Sequence, residues 1–560
     1  MAAPTTLRRS SRPAVEPAHA TTRSSRIRVL VGRYLLAGGG GLVLVLAFPG
    51  HDVWPLAAIA AALFAVALRG TGARLGAGLG TVFGLGAFIP LLSWSGVYVG
   101  AVPWLLLAAS QAAFMTVFGA AAAPALRLRG WPVWYAALWV AVEAARGRVP
   151  FGGFPWARLA FSQADAPTLG LAALGGAPLV SFVVALAGGL LAAALVQLAA
   201  VLRRPGSGAA HAVRAGAALA LAVAVTAGPL LIARPTAGQA GGGQPGAGRP
   251  ASVRVALVQG NVDRAGLTRD SPVQVLRNHV AVTDQLAADV AAGRQPRPDF
   301  VLWPENASDI DPLTDPRAAA MVSDAVARIG APIVVGAILD GSGDADVVNP
   351  AHPVRRNAMI VWTADGPVQS PSGIYVKRRP VPFGEYIPLR SLARRVSSAV
   401  DLVPVDMSAG TRVGALQVGP VRLGPAICFE VAIDSILRDD VRAGATLLAV
   451  PTNNSTFGRT DESVQQLAMS RLRAVEHGRA VLHASTVGVS AIVTPDGVAH
   501  DRTSLFTPAV VTGQVPLRTS LTVADRVGVW PEAAVTTVAL LAVLGGILVG
   551  RRARPGPRQG

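Results

Sequence analysis

Two long stretches of this chain, residues 75–126 and 166–202, contain no Asp, Glu, Lys, Arg or His. A helix needs roughly 20 consecutive apolar residues to cross a bilayer, so the first stretch fits two spans and the second fits one span with a loop. Only 15% of all residues are charged, whereas soluble domains average about a quarter. These features predict a polytopic α-helical membrane protein.

Apolar runs predict eight spans, at roughly 29–49, 53–68, 76–97, 101–125, 131–145, 176–201, 213–233 and 529–550. Alternate loops are basic, and they hold Arg69, Arg74, Arg127, Arg129, Arg203, Arg204, Arg214, Arg551, Arg552 and Arg554. Because basic loops stay in the cytoplasm, both termini are expected there. The loop after the fifth span is an exception, since Arg146, Arg148 and Arg158 follow that span on the outer side.

The net charge of +18 raises the question of a nucleic-acid partner. The basic residues form no single patch with interleaved aromatic residues, as such a partner requires. Many of them lie at the ends of apolar runs, where the positive-inside rule places them. No nucleic-acid partner is therefore predicted.

The composition changes after the seventh span. A Gly- and Pro-rich segment is typical of a flexible linker, and strand-like and helix-like segments then alternate, which predicts a layered α/β domain. An odd number of spans precedes this domain, so it is expected outside the cytoplasm. The predicted parts are a disordered basic cytoplasmic tail (1–28), a seven-span membrane domain (29–235), a linker (236–250), the α/β domain (251–515), a final transmembrane helix (527–550) and a second cytoplasmic tail (551–560).

Two residue types occur only once. Lys377 is the single Lys among 50 Lys and Arg residues, and Cys428 is the single Cys. One Cys excludes an intramolecular disulfide. A Lys that persists in a chain whose other cations are Arg is a candidate for chemistry that a guanidinium cannot perform. The alternative is an ordinary surface cation.

Cys428 is predicted to lie between a strand, VRLGPAI, and a helix, EVAIDSILRDD. A helix N-terminus lowers the pKa of a thiol, and a tight junction exposes its side chain. Cys428 is therefore a candidate nucleophile. The alternative is a small buried apolar residue, the common role of a free Cys.

Glu305 follows a predicted strand, DFVLW. Partial desolvation beside Trp303 and Pro304 would raise its pKa toward the value of a general base, and a helix-capping or solvated carboxylate is the alternative. Lys377 lies in the segment GIYVKRRPVPFGEYIP. A fixed ammonium at that position could stabilise an oxyanion or a thiolate.

This chain resembles the nitrilase superfamily in the order of three motifs, which are Glu in WPE, Lys before PFGEY and Cys at a strand–helix junction. Members of that superfamily have an αββα sandwich and a Glu–Lys–Cys triad. Within it, the segments YVKRRPVPFGEYIP, CFE and GGFPWARLAFSQ, with the flanking spans, resemble the apolipoprotein N-acyltransferase family. The resemblance implies that Glu305 is the general base, Lys377 the oxyanion stabiliser and Cys428 the nucleophile. It also implies that Glu385 orients Lys377 and that Glu430 shapes the site, with structural ion pairs as the alternative for both.

The resemblance further implies a multi-pass enzyme of the cell membrane. Cys428 would accept a fatty acyl group from a phospholipid and pass it to the N-terminal amine of S-diacylglyceryl-cysteine on an apolipoprotein. Phospholipid, diacylglyceryl-modified lipoproteins and the bilayer are the expected partners. No cofactor is expected, and no metal either, because the His residues are scattered and no Cys/His cluster occurs.

Two segments are tentative substrate contacts. The family favours NDAWFG where this chain has NNSTFG, which begins at Asn453, and it usually has Tyr where this chain has Phe429. The loop after the fifth span contains Phe154, Trp156 and Arg158. These three residues form either a mouth that admits lipid or an aromatic interface belt with a snorkelling Arg.

Three other functions remain open. A membrane-tethered amidase would use the same triad with water in place of the amine, although a tether needs only one span. A non-catalytic scaffold leaves the intact triad unexplained. A Cys–His hydrolase that uses His477 or His483 leaves Glu305 and Lys377 unexplained.

Overall fold

The computed structural model describes residues 23–203, 208–236, 251–262, 272–341 and 354–552. The predicted tail up to residue 22, the linker residues 237–250 and the second tail from residue 553 lie outside the described residues. The first tail was predicted to extend to residue 28, which is wrong for its last residues. The first helix begins at Arg23, because its Arg residues are good helix formers.

The membrane domain is built from apolar helices. They are α1 (Arg23–Val45), α2 (Leu56–Leu68), α3 (Ala73–Leu91), α4 (Ala101–Ala125), α5 (Trp131–Arg146), α6 (Ala172–Arg203), α7 (Gly208–Ala227) and, near the C-terminus, α14 (Trp530–Arg552). Among the described residues, six helices are long and apolar enough to cross a membrane, which leaves out α2 and α5. At 1.5 Å per residue, these two helices are about 20 and 24 Å long, less than the roughly 30 Å of a hydrocarbon core. The polytopic membrane class is confirmed, and the number of spans remains a prediction.

The α/β domain contains two sheets. The first has the order β13-β1-β2-β3-β4-β5 with β6 also paired to β4, and the second has the order β12-β11-β10-β9-β8-β7. The strands are β1 (Ser252–Gln259), β2 (Phe300–Leu302), β3 (Ile333–Asp340), β4 (Arg355–Thr363), β5 (Gly366–Pro367), β6 (Ile374–Val376), β7 (Leu416–Val418), β8 (Val421–Pro425), β9 (Leu447–Thr452), β10 (Val481–Ser485), β11 (Ala491–Val493), β12 (Ala499–His500) and β13 (Ala509–Pro516). The helices are α8 (Pro272–Ala291), α9 (Pro316–Ile329), α10 (Arg390–Val396), α11 (Asp434–Arg442), α12 (Glu462–His477) and α13 (Val523–Val527).

The two sheets pack face to face between helices. Side chains of β1 alternate, so Leu257 lies in the cluster between the sheets, which also contains Leu423 and Leu482 of the second sheet. Val258 points the other way, into the cluster that includes Leu276 of α8 and Val326 of α9. Helices α11 and α12 cover the second sheet. The predicted α/β sandwich, with the layers helix, sheet, sheet and helix, is confirmed.

The membrane helices pack directly against this domain. Buried apolar residues of α11 and α12 belong to the same continuous cluster as those of the membrane helices. Helix α6 is broken at Gly175 and Gly176, and Gly176 has a φ of 65°. A Cβ atom at Gly176 would lie 2.5 Å from Glu476 Oε1 of α12, so glycine permits this close contact.

A buried ion cluster joins the loop after α5 to the α/β domain. Arg158 Nη1 donates to both carboxylate oxygens of Asp434 at 2.8 Å, and Arg473 Nη2 donates to Asp434 Oδ1 at 2.8 Å. The side chains of Arg158 and Arg473 are 5% and 0% exposed. Burial alone would raise the pKa of Asp434, but the two guanidinium groups hold it below its usual range.

We expect Asp434→Leu to destabilise the protein strongly. Loss of the carboxylate leaves two buried guanidinium groups without their shared partner, a change that typically costs about 3–5 kcal/mol. The measurement is the thermal unfolding midpoint in detergent. Asp401→Ala is the control, because Asp401 pairs with Arg394 on the surface with a 52% exposed side chain, and such pairs contribute at most about 1 kcal/mol. Equal midpoints for the two variants would contradict a structural role for the cluster.

Candidate active site

The polar candidates identified from the sequence follow the C-terminal ends of strands. Glu305 follows β2, Lys377 follows β6, Cys428 follows β8 and Asn453 follows β9. Strands β8 and β9 are parallel and adjacent, so Cys428 and Asn453 leave the second sheet at the same edge. The backbone N–H of Asn453 donates to Glu305 Oε2 at 2.9 Å, which brings the two sheets together at this point.

Lys377 lies buried between two carboxylates. Its Nζ donates to Glu305 Oε1 at 3.1 Å and to Glu385 Oε1 at 2.9 Å, and only 1% of the residue is exposed. Asn357 Nδ2 donates to both carboxylates, at 2.6 and 2.9 Å. The ammonium is therefore fixed in position by groups from three separate segments.

The backbone of Glu305 is held tightly. A Cβ atom on Gly336 of β3 would lie 2.1 Å from the carbonyl oxygen of Pro304, so only glycine allows β3 to approach the segment before Glu305. On the other side, the Thr486 hydroxyl donates to the carbonyl oxygen of Glu305 at 3.1 Å. These contacts fix the carboxylate against Lys377.

Cys428 begins a short 3₁₀ turn, Cys428–Ala432, and the α-helix starts only at Asp434. The predicted helix directly after Cys428 is therefore wrong in its first residues. Cys428 itself has a φ of 53°, a left-handed conformation that is uncommon for a residue with a side chain and that is often found at functional sites. Its Sγ accepts a hydrogen bond from Gln466 Nε2 at 3.5 Å.

Glu430 organises the turn around Cys428. Its carboxylate accepts hydrogen bonds from the backbone N–H groups of Ile427, Arg378 and Arg379, at 2.8, 2.8 and 3.0 Å. The hydroxyl of Tyr375 also lies within 3.1 Å of both oxygens. Glu430 thus connects the segment after Lys377 to the turn that carries Cys428, while Glu385 contacts Lys377 directly.

The electrostatics keep the thiol neutral in the resting site. Burial, reinforced by the nearby Glu305 carboxylate, raises the pKa of Cys428, which is opposite to the lowering predicted for a helix N-terminus. Burial also raises the pKa of Glu305. Burial alone would lower the pKa of Lys377, but Glu305 and Glu385 outweigh it and raise that pKa. The ammonium therefore remains charged, and attack by the sulfur requires a base.

Of the four residues predicted as substrate contacts, two lie against the turn that begins at Cys428. The rings of Phe154 and Trp156 stack on Phe429, with centroids 5.6 and 6.3 Å away. Arg158 is buried against Asp434, so it does not extend to a membrane surface as a snorkelling Arg would. Asn453 contacts Glu305 through its backbone.

A cavity of about 270 Å³ opens beside the turn. The loop after α5, the segment after Lys377 and the turn after Cys428 line it, through residues that include Phe151, Arg378, Arg379, Tyr386 and Phe429. Pockets for drug-sized ligands measure about 300–1,000 Å³, so this cavity is slightly smaller than a typical ligand pocket.

Two residues of the site, Asn357 and Gln466, were not predicted from the sequence. Asn357 is a polar residue inside the apolar strand β4, which was a usable signal, whereas Gln466 lies in a helix among other polar residues. The two histidines considered for a Cys–His site lie elsewhere. His477 Nδ1 contacts Asp525 at 2.7 Å, and His483 Nδ1 contacts Ser470 at 2.8 Å.

We expect Lys377→Arg to lower the rate of acyl transfer at least about a hundredfold. A planar guanidinium is broader than an ammonium, and it would displace a reacting carbonyl or Glu305. Loss of one oxyanion donor costs roughly 10²–10³ in rate. The measurement is the rate of Cys428 acylation by purified enzyme, with thermal melting to verify folding. Arg390→Lys, at a partly exposed ion pair with Asp406, is the control, and near-normal acylation by folded Lys377→Arg would refute the role of Lys377.

Two family models and several known proteins match most of this chain. Residues 40–190 match the family model of the apolipoprotein N-acyltransferase N-terminal domain, and residues 254–523 match that of carbon-nitrogen hydrolase. The chain is similar to an apolipoprotein N-acyltransferase of Mycolicibacterium smegmatis, with 42% identity over 92% of this chain and 85% of that protein. A second one, from Azotobacter vinelandii, is 31% identical over 93% of this chain and 96% of its own length.

Among solved structures, an amidase from Nesterenkonia sp. aligns with 48% of this chain and 93% of its own, with 17% identity and a TM-score of 0.34. The two family models match much of the membrane domain and nearly all of the sandwich. Together with the identity to relatives over nearly the full length, they show that the chain belongs to the apolipoprotein N-acyltransferase family.

Proposed function

We propose that this protein moves a fatty acyl group from a phospholipid to the N-terminal amine of an S-diacylglyceryl-cysteine, through a thioester on Cys428. The observation that carries the proposal is the buried Lys377 ammonium, bonded to Glu305 and Glu385, in a site where Cys428 has a left-handed backbone conformation. This arrangement provides a nucleophile, a base and a fixed cation for a developing oxyanion.

In the first half-reaction, Sγ of Cys428 attacks the ester carbonyl carbon of the phospholipid. The thiol proton passes to Glu305, whose raised pKa suits it as an acceptor. The carbonyl oxygen becomes an oxyanion, which the Lys377 ammonium stabilises. The C–O bond then breaks, Glu305 returns the proton to the departing alkoxide, and lysophospholipid leaves with the acyl group bound to sulfur.

In the second half-reaction, the α-amine of the lipidated cysteine attacks the thioester carbonyl. Glu305 takes a proton from the attacking nitrogen, the C–S bond breaks, and the proton passes to the departing sulfur of Cys428. The product is an amide. A thioester reacts with amines more readily than the original ester, so the covalent intermediate divides a slow reaction into two faster ones.

Both proposed substrates are anchored in a membrane, which explains why the sandwich is attached to so many apolar helices. The cavity beside the turn contains apolar Phe151 and cationic Arg379. Such a lining suits the boundary between a lipid chain and a polar headgroup. The proposal places this cavity, and residues 251–515 with it, on the extracytoplasmic side.

We expect incubation with phospholipid alone to leave one acyl group on Cys428. Mass spectrometry of the intact protein measures the added mass, and neutral hydroxylamine should remove it, because thioesters react with that reagent. Cys428→Ala is the control and should carry no acyl group. If acyl transfer by Cys428→Ala proceeds at the wild-type rate, the sulfur is not the nucleophile.

The same sample distinguishes acyl transfer from amide hydrolysis, which the match to the carbon-nitrogen hydrolase model makes the second candidate. Addition of a diacylglyceryl-cysteine peptide to the acylated enzyme should yield acylated peptide. Release of mainly free fatty acid in the presence of the peptide would instead support a hydrolase.

We expect residues 251–515 to be accessible only from outside the cell. A reporter Cys at the exposed Arg294, whose side chain is 60% exposed, placed in a Cys428→Ala background, should react with an impermeant maleimide in intact cells. A reporter Cys at Arg129, in the loop between α4 and α5, should react only after lysis. Labelling of the first reporter only after lysis would place the catalytic domain in the cytoplasm and exclude the proposed substrates.

A further inference from the structure

A chain of buried amides leads from the sulfur of Cys428 to a second buried carboxylate. Gln466 Nε2 lies 3.5 Å from Cys428 Sγ. Asn454 Nδ2 donates to Gln466 Oε1 at 3.0 Å and to Glu462 Oε2 at 2.6 Å. At most 2% of Gln466, Asn454 and Glu462 is exposed. The first half-reaction described above gives these three side chains no role.

The hydrogen bonds fix which end of the Gln466 amide faces the sulfur. Its oxygen accepts from the Thr452 hydroxyl at 2.8 Å and from Asn454 Nδ2 at 3.0 Å. With both donors on the oxygen, the NH₂ group must point toward Cys428. A flipped amide would place its NH₂ group against the Asn454 NH₂ group and leave the sulfur facing an oxygen.

The orientation of Asn454 is fixed in the same way. Its oxygen accepts from the Ser485 hydroxyl at 2.5 Å, so its NH₂ group is left to bond Gln466 and Glu462. Glu462 is therefore an acceptor at the end of the chain. Its pKa is raised to about 8 by burial, while the hydrogen bond from Asn454 acts in the opposite direction.

We propose that Gln466 is a catalytic residue that donates a hydrogen bond to the Cys428 sulfur whenever that sulfur carries negative charge, and that Asn454 and Glu462 are positioning residues for its amide. The proposal uses the thioester chemistry proposed above. Negative charge appears on the sulfur twice, once as Cys428 attacks the ester and once as the amine displaces it from the thioester.

A neutral donor suits this position better than a second cation. Lys377 is already bonded to Glu305 and Glu385, and its charge serves the oxyanion. The Glu305 carboxylate acts electrostatically against a thiolate on Cys428, and Glu462 does the same at a pH where it is ionised. An N–H group that points at the sulfur stabilises the charged form without adding a charge that would pair with either carboxylate.

The single Cys makes a direct test possible, because every thiol reagent reports on Cys428 alone. The rate of alkylation by iodoacetamide, without any lipid, follows the thiolate fraction. We expect Gln466→Met, which keeps the size of the side chain but removes the donor, to slow alkylation about tenfold between pH 7 and 9. Gln465→Met is the matched control, since the Gln465 amide accepts from Trp156 Nε1 at 2.8 Å and has no bond to the sulfur.

A double variant of Gln466 and Asn454 tests whether Asn454 acts by positioning the Gln466 amide or only by stabilising the fold. Asn454→Leu should also slow alkylation, by a smaller factor, because the Gln466 amide is then free to rotate. In the double variant Gln466→Met/Asn454→Leu, the second change should add nothing, whereas independent sites would multiply their effects. If Gln466→Met does not fold, Gln466→Glu replaces it. Its carboxylate repels a thiolate and should slow alkylation further.

Two outcomes would overturn the proposal. One is an unchanged alkylation rate in a Gln466 variant that melts normally, and the other is a loss seen only with a reagent bulkier than iodoacetamide, which would indicate blocked access. Both are independent of the proposed function. An enzyme that shows the expected alkylation rates but takes no acyl group from phospholipid would refute the transferase reaction. The proposed hydrogen bond from Gln466 to the sulfur would still stand.

Discussion

A single buried ammonium constrains the geometry of the whole catalytic domain. An isolated charge in a protein interior costs several kcal/mol unless good partners surround it, and Lys377 has two carboxylates within 3.1 Å. Those partners come from the segment after β2 and from the segment after β6, and Asn357 in β4 bonds both. The sandwich must hold these segments together for the ammonium to remain buried, so the fold and the position of the catalytic cation depend on each other.

The membrane domain contributes to the same site through the turn of the nucleophile. Phe429, the residue after Cys428, stacks on Phe154 of the loop after α5, and Asp434, which begins α11 just after the turn, binds Arg158 of that loop. One membrane-domain loop thus holds both ends of the turn. A sandwich attached by a flexible tether would have no need for such contacts, which favours a site that is built jointly by the two domains.

Much of this arrangement was predictable from local sequence. Charge-free runs predicted the membrane helices, and the strand patterns placed Glu305 and Cys428 at strand ends, since these signals depend on neighbouring residues. Lys377 was a candidate because it is the single Lys of the chain, and the short strand β6 before it was not predicted. The short 3₁₀ turn that begins at Cys428 was not predicted, because EVAIDSILRDD has the composition of a helix and only tertiary contacts unwind its first residues. The role of Gln466 could not be predicted either, because its orientation depends on Thr452 and Asn454 from a different segment.

The direction of the Cys428 pKa follows from this tertiary context and affects how the enzyme can operate. A helix N-terminus favours a thiolate only within its first turn and only where the dipole outweighs burial, whereas here burial and the Glu305 carboxylate prevail. The raised pKa favours a neutral resting thiol, so the proposed mechanism requires Glu305 to take the thiol proton once a substrate carbonyl is positioned for attack. Since oxidation and stray alkylation both proceed through the thiolate, a thiol that rests neutral is protected from both, and under the proposed mechanism the one cysteine of the chain reacts mainly with bound acyl donors.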